Sequence, residues 1–501
     1  MNPHQSTTTE TDTIRSTDQD ALSSRLSTQL RNYPPSDPFL IPLISKVINL
    51  KKMLIETNNT DQSSFGLKLK QGRELKKIFF NLFDDSNSRN GTGTGPGSGT
   101  GYGVGSGSGN GAGFSAHIGA GSRGAGPIAG GLRGTMSGGN MRPFAGPGSG
   151  FGSGHSGIPS GTGIVTGSGQ SLEGTPMEGL KPNYRSLLMK PNTLKSPVLN
   201  RGTWLRTVSI NAVIDKFLQE HEDKGFEGDD IQIVNLGAGN DTRCFNLLKQ
   251  QREKKKNNNS KVGLKIVEID FEDSCKLKKF SILSSAQLSS AIGIDTTQTK
   301  EPIPTTYEEF QNSSSELTTP NYKLLSADLR DTTSLQQLFQ THSISQNSPT
   351  LILSECCICY MDKSSSNGLL KFLKTYFHKA GSFVIYDPVG GNPNANYGDV
   401  MRSNLAKRGI EMPCLMVYRD VEGVKRRLID EVGFENGNVG VWDMKWIYHH
   451  WVDQDLIGQI TRLEFLDELE ELDLINLHYV LVVASWGDDV KLEPPFTISS
   501  T

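Results

Sequence analysis

Residues 233–243 read IVNLGAGNDTR, an apolar run that passes straight into Gly237-Ala238-Gly239. Glycine permits a tight backbone turn and leaves room for a ligand to lie against the chain. Such a turn after a first strand, at the carboxyl edge of a sheet, is where doubly wound folds bind nucleotides. By itself the Gly-x-Gly also fits a purely structural turn. A dinucleotide site needs a third glycine, where this chain has Thr242, and an acid about 20 residues on, whereas Asp270 lies further away. More informative are three acids at the ends of successive apolar runs: Asp270 in IVEIDF, Asp328 in LLSADLRD and Glu355 in LILSECCICYM. If those runs are parallel strands, all three carboxylates share one edge and face the turn at Gly237. One carboxylate there can accept both hydroxyls of a ribose, and another an exocyclic amine. A single strand-end acid is as readily a helix N-cap or a solvated loop residue. Three in register behind a glycine turn point to a binding edge.

Other reactive types carry less. Cys356, Cys357 and Cys359 fall on what reads as a strand, whose neighbours point to opposite faces, and no second cysteine pair accompanies them. They read as small buried side chains, and no metal is expected. His449-His450, followed by Asp453, reads as a partly exposed loop or interface pair, and His478 as a satisfied core residue. Lys254-Lys255-Lys256, running into three asparagines, reads as a solvated loop.

The elements that must position these groups follow from apolar periodicity. Strands are predicted at Ile231–Leu236, Leu264–Ile269, Tyr322–Leu325, Thr350–Leu353, Ser382–Tyr386 and Tyr479–Ala484. Between them helices are predicted at Asp241–Gln250, Ser274–Leu288, Ser334–Phe339, Asn367–Ala380 and Val400–Arg408. A long amphipathic helix begins near Pro197, and LEFLDELEELDLIN before the last strand reads as a helix. Polar inserts around Asn257 and from Thr296 to Pro320 read as surface loops. Alternation of this kind predicts an α/β fold with a doubly wound, mostly parallel sheet. Helical additions precede it, including Lys46–Thr57 and Leu67–Phe83.

Composition divides the 501 residues. Between Gly91 and Gln170 nearly every second residue is glycine, and only Arg123, Arg133 and Arg142 are charged. So few apolar groups cannot offset the entropy of ordering, which predicts a disordered coil. The expected organisation is a tail over 1–15, a helical segment over 16–84, a Gly/Ser-rich insertion over 85–180, the catalytic domain over 181–487 and a tail over 488–501. A formal net charge of −3 lacks the basic footprint of a nucleic-acid binder. The six cysteines lack disulfide-framework spacing, and no signal core or 18-residue apolar run is present. No membrane and no nucleic acid are expected as partners, and the cytoplasm is the expected compartment.

NRGTWLRT (200–207), NLGAGNDTR, IDF, ADLRD, SECCICYM and LEFLDELEEL…HY occur in the order and context of the leucine carboxyl methyltransferases, which this chain resembles. TDQDALSSRLSTQ…DPF (17–39) is similar too. The likeness covers about 17–46 and 196–485 and leaves 47–195 as an insertion. It implies a sheet of the S-adenosylmethionine-dependent methyltransferase type. It also implies S-adenosyl-L-methionine as co-substrate and, as partner, the catalytic subunit of the type 2A protein phosphatase, whose C-terminal leucine is esterified. Position by position it implies cofactor contacts at Arg206, Gly237, Asp270, Asp328, Leu329 and Glu355, with Arg25 in place of a family lysine. Arg206 would neutralise the methionyl carboxylate, Asp270 hold the ribose, Asp328 and the Leu329 backbone hold the adenine, and Glu355 line the site. A terminal carboxylate, with a pKa of about 3.5, is already a nucleophile at neutral pH, so no general base is assigned. Arg201 and Arg206 are expected to orient the carboxylates. Two alternatives stand beside this reading: a tRNA-modifying or small-molecule methyltransferase of the same superfamily, and a non-catalytic interaction protein with a glycine-rich arm. The tRNA-modifying relatives carry a long C-terminal repeat domain that does not follow the last strand here, which favours the phosphatase enzyme.

Overall fold

The computed structural model describes residues 17–18, 20–60, 194–224, 230–257, 262–295, 301–394, 396–487, 494 and 496–499. The expected glycine-rich coil, the expected N-terminal tail and the predicted helix Leu67–Phe83 lie outside the described residues, while the expected C-terminal tail is corrected in part, since Phe496 and Ile498 are buried and Ile498 bridges to Val452. Eight strands form one sheet: β1 Ile231–Leu236, β2 Leu264–Asp270, β3 Leu317–Thr318, β4 Tyr322–Ser326, β5 Thr350–Glu355, β6 Ala380–Pro388, β7 Val439–Asp443 and β8 Tyr479–Gly487. Their order is β3-β4-β2-β1-β5-β6-β8-β7. β4, β2, β1, β5 and β6 run parallel, β3 and β8 run against them, and β7, antiparallel to β8, runs with them again. This is the doubly wound, mostly parallel sheet that the alternation predicts.

β1 is buried along its whole length, as a central parallel strand covered on both faces must be. Ile231 and Ile233 belong to the core on one face, with Trp204, Phe217 and Phe245. Val234 and Leu236 belong to the core on the other, with Leu335, Phe339 and Leu369. The two polar side chains within β1 are satisfied. Gln232 donates to Thr350 Oγ1 at 3.1 Å, and Asn235 Nδ2 donates to Asp241 Oδ2 at 3.1 Å. From β1 the chain lays down β2 and β4 on one side, then crosses to β5 and β6 on the other. The carboxyl ends of β1 and β5 therefore flank the switch point where such sheets open a crevice.

Helical additions precede the sheet, over residues 20–30 and Leu40–Thr60. Val47 and Leu50 of the second pack on Leu277, Phe280 and Phe310. Several local expectations are corrected. The Thr296–Pro320 insert holds the helix Tyr307–Asn312, started by a reciprocal Thr306/Glu309 capping box, and the edge strand β3. β7 was not anticipated, being five residues with a glycine at the second position. His449 and His450 end the helix Met444–His450 and are not in a loop. Leu463 ends the helix Gln454–Leu463, residues 464–468 are irregular, and Leu469–Asn476 is helical. The three lysines close the helix Arg243–Lys256, where cations suit the negative end of the helix dipole. Among the described residues no helix is long and apolar enough to cross a membrane.

Candidate active site

A cleft of about 300 Å³ opens above the carboxyl ends of β1, β2, β4 and β5, at the size where small-molecule sites begin. Its floor carries Gly237, Asp270, Leu329 and Glu355. Thr17–Arg25 cross above it, the helix Pro197–Lys224 forms one wall, and Leu405, Arg408, Ile410 and Met412 form another. Arg408 pairs with Asp20, tying the crossing segment to that far wall.

At the turn after β1, Gly237 has φ +61° and Gly239 has φ +42°, in the left-handed region that side chains avoid. A Cβ on Gly237 would stand 2.7 Å from Cys357 Sγ and 3.0 Å from its Cβ. The glycine is thus required by torsion and by the neighbouring β5 turn together. The Gly239 amide donates to Asp270 Oδ2 at 2.7 Å and the Phe271 amide to Oδ1 at 2.6 Å. This fixes the carboxylate at the mouth of β2, where the Ser274 hydroxyl also bonds to it, with acceptor capacity remaining. Asp18 completes the turn by accepting from the Asn240 amide at 2.9 Å and from the Asn240 side chain. Burial, and the nearby Asp270 charge, raise the Asp18 carboxyl to about 6 against those hydrogen bonds.

Beside the turn runs a chain of paired charges. Glu355 is held by Arg206 on one oxygen and Arg243 on the other. Burial opposes its charge, but the two guanidiniums prevail and hold its pKa at about 2. Arg243 also reaches Asp241 at 2.8 Å and Asn211 at 2.9 Å. Asp241 meets Arg25 at 3.6 Å, and Arg25 meets Asp37 at 3.1 Å and Thr242. Beneath them Lys278, wholly buried, donates to the Asp241 carbonyl at 2.7 Å and to Glu268 at 2.7 Å. The Arg206 guanidinium lies 5.0 Å from the centre of the Tyr386 ring, and Tyr386 stacks on Tyr479 at 5.4 Å. Both tyrosines line the cleft.

The structure gathers Arg25, Arg206, Gly237, Asp270, Asp328, Leu329 and Glu355 around this one cleft. Leu329 is buried. Asp328 sits at the rim, 43% exposed, in a fork with Arg330. Arg201 does not join them, which corrects the expected pairing with Arg206. Five residues apart on a helix means about 140° around its axis. Arg206 shares the cleft face with Leu199 and Thr203, while Arg201 turns to the buried side and donates to the Glu464 carbonyl at 3.2 Å. Cys356 and Cys357 are also corrected. β5 ends at Glu355, and Cys356 turns with φ +51° into the short helix Ile358–Tyr360. Both cysteines line the cleft, and burial pushes the Cys356 thiol up to about 12. Asp18, Asp241, Arg243, Tyr386 and Tyr479 were not singled out. Asp241-Thr242-Arg243 stood within the glycine motif itself, so the signal was present. Among the described residues no group of three or more His, Cys, Asp or Glu side chains is arranged to hold a metal.

A family profile described as Leucine carboxyl methyltransferase matches residues 168–374. Leucine carboxyl methyltransferase 1 of Eremothecium gossypii is 32% identical over 303 residues, 60% of this chain and 82% of the relative. That of Debaryomyces hansenii is 31% identical over 318 residues, 62% of this chain and 80% of the relative. Among solved structures, a phosphoethanolamine N-methyltransferase 2 of Haemonchus contortus in complex with S-adenosyl-L-methionine is similar only loosely. Its TM-score is 0.27 at 10% identity, over 60% of this chain and 62% of that one, and the assignment rests on the sequence relatives. On a likeness that spans four-fifths of those relatives, beside a family profile whose span takes in Arg206, Gly237, Asp270, Asp328, Leu329 and Glu355, the chain belongs to the leucine carboxyl methyltransferase family.

Proposed function

We propose that this chain transfers the methyl group of S-adenosyl-L-methionine to the C-terminal leucine carboxylate of the type 2A protein phosphatase catalytic subunit. Membership in the family carries the reading, and the cleft fits both reactants. On its polar side Asp270 is fixed by two amides with acceptor capacity left over, suited to a ribose diol. Leu329 and Asp328 stand at the next strand end, where an adenine would lie. Cations from Arg25 and Arg206 suit a methionyl carboxylate, and the left-handed torsion of Gly237 shapes the turn beside it.

S-adenosylmethionine, when bound, supplies a methyl on a positively charged sulfur. The work left to the chain is to hold a carboxylate oxygen in line with that methyl and to keep water away, since the carboxylate is ionised without a base. Arg206 is placed to hold this carboxylate as well as the methionyl one. Glu355 takes its Nε and Tyr386 lies beneath its plane, so the guanidinium is locked in orientation with further donors to offer. The apolar wall of Leu405, Ile410 and Met412 suits a leucyl side chain. Thr17–Arg25 cover the cleft from above.

Calorimetric titration with S-adenosylmethionine, followed by methyl-ester formation on a peptide ending in the phosphatase's free leucine, tests the reading. The peptide should be esterified, and its C-terminal amide should not, because the amide lacks the anionic oxygen. Binding without transfer to the peptide, combined with transfer to tRNA or to a small carboxylic acid, overturns the substrate assignment.

A further inference from the structure

We infer that Leu463, the loop 464–468 and the helix Leu469–Asn476 form a docking surface for the folded body of the protein substrate, a body with a basic rim around an apolar pocket. The inference rests on the protein-methylation reading and adds to it a second contact outside the cleft.

Phe465 is 79% exposed, Leu469 51%, Leu477 42% and Leu463 37%. Scattered exposed apolar residues are ordinary, but four within fifteen positions, one a nearly bare aromatic ring, mark an interaction site. Around them Asp467, Glu468 and Glu470 are exposed. An apolar stripe fringed by carboxylates is complementary to a basic surface.

The surface is also pre-organised. Glu464, adjacent to Phe465, is buried and accepts from the Tyr33 hydroxyl at 3.0 Å, from Asn200 Nδ2 at 2.8 Å and from Arg31 at 3.1 Å. Its carbonyl accepts from the buried Arg201. Four partners on one residue pin the loop and turn its neighbour Phe465 outward. A rigid aromatic anchor loses little entropy on binding, which is the character of a hot spot.

The stripe is continuous with the cleft. Asn476 of the same helix, and Tyr479 just after it, line the cleft, and Leu469 lies two turns, about 10 Å, before Asn476 on the same helix face. A protein whose C-terminal tail enters the cleft therefore rests its body against the rim where the stripe begins.

Methylation of the intact phosphatase catalytic subunit is to be compared with that of a short peptide from its C-terminus, for the unaltered chain, Phe465→Ala and Glu470→Lys. Phe465→Ala should raise KM for the subunit about tenfold or more and leave kcat and KM for the peptide unchanged. Glu470→Lys should lower kcat/KM for the subunit several-fold at low salt, with the loss shrinking as salt rises. Equal effects on both substrates, or on neither while the unaltered chain is active, overturn the docking surface alone. So does a gain in rate with Phe465→Ala, which would mean that another segment, such as the basic stretch 65–83, covers the stripe. An unaltered chain that methylates neither substrate overturns the methylation reading, and the docking surface with it.

Discussion

Gly237→Ala adds one methyl group where two features of the structure forbid it. At φ +61° a non-glycine residue is strained by about 1–2 kcal/mol. The new Cβ would also stand 2.7 Å from Cys357 Sγ, an overpacking that costs about 1–3 kcal/mol. The combined loss is about 2–5 kcal/mol, a fall in Tm of roughly 4–10 °C at about 2 °C per kcal/mol for a domain of this size. The methyl points at Cys357, not into open cleft, so it harms ligand binding by displacing the turn and, with it, the Gly239 amide that positions Asp270. Affinity for S-adenosylmethionine, measured by calorimetry on the folded variant, should fall about tenfold or more, the equivalent of roughly 1.4 kcal/mol. Adding Cys357→Ala removes the sulfur and should recover most of the packing part of the loss, the 3.0 Å approach to its Cβ remaining, but not the torsional part. A Gly237→Ala protein that melts and binds as the unaltered chain does would mean that neither the torsion nor the contact exists.

Glu355→Gln leaves Arg206 and Arg243 facing one another without their shared carboxylate, a loss of about 3–5 kcal/mol to be read from denaturant melts. Because the Glu355 pKa is depressed to about 2 from 4.5, its contribution is present above 4.5 and lost as pH falls toward 2, so the variant should also lose part of the stability slope in that window. Asp18 runs the other way. Its carboxyl is raised from 3.8 to about 6, so docking of residues 17–25 should be strongest below pH 3.8 and weaken as pH rises through 6. Amide exchange over 20–25, corrected for intrinsic rates, should show more protection at pH 5 than at pH 7.5, and Asp18→Asn should remove the difference. Arg201→Met should cost about 1.5–3 kcal/mol by loosening the Glu464 loop, with S-adenosylmethionine affinity unchanged. Unchanged melting with lost affinity would return Arg201 to the cleft.

The central strands were legible because β1, β2, β5 and β6 are buried nearly throughout and therefore read as apolar runs. The carboxyl-edge residues Gly237, Asp270 and Glu355 followed from where those runs end. β7 escaped because an edge strand of five residues interrupted by Gly440 shows neither a run nor a clean alternation. Arg201 was misplaced because proximity in sequence was taken for proximity on a helix face. Leu205 and Val208, which share its stripe, are core residues, and Leu199 and Thr203, which share that of Arg206, line the cleft. Asp18 and Arg243 carry no local signal for their direction. Only the packing of the first helix over the turn brings Asp18 to Asn240, and only the β5 end brings Glu355 to Arg243.

Methyl transfer to the intact phosphatase catalytic subunit tests the proposed activity most directly. Labelled S-adenosylmethionine should place one base-labile methyl ester on the subunit with its free C-terminal leucine. No label should appear on a subunit lacking that leucine, and Arg206→Met should abolish transfer to the complete one. Equal labelling of the truncated subunit, or none on the complete subunit by a folded chain that binds S-adenosylmethionine, would contradict the assignment of the leucine carboxylate as the group methylated.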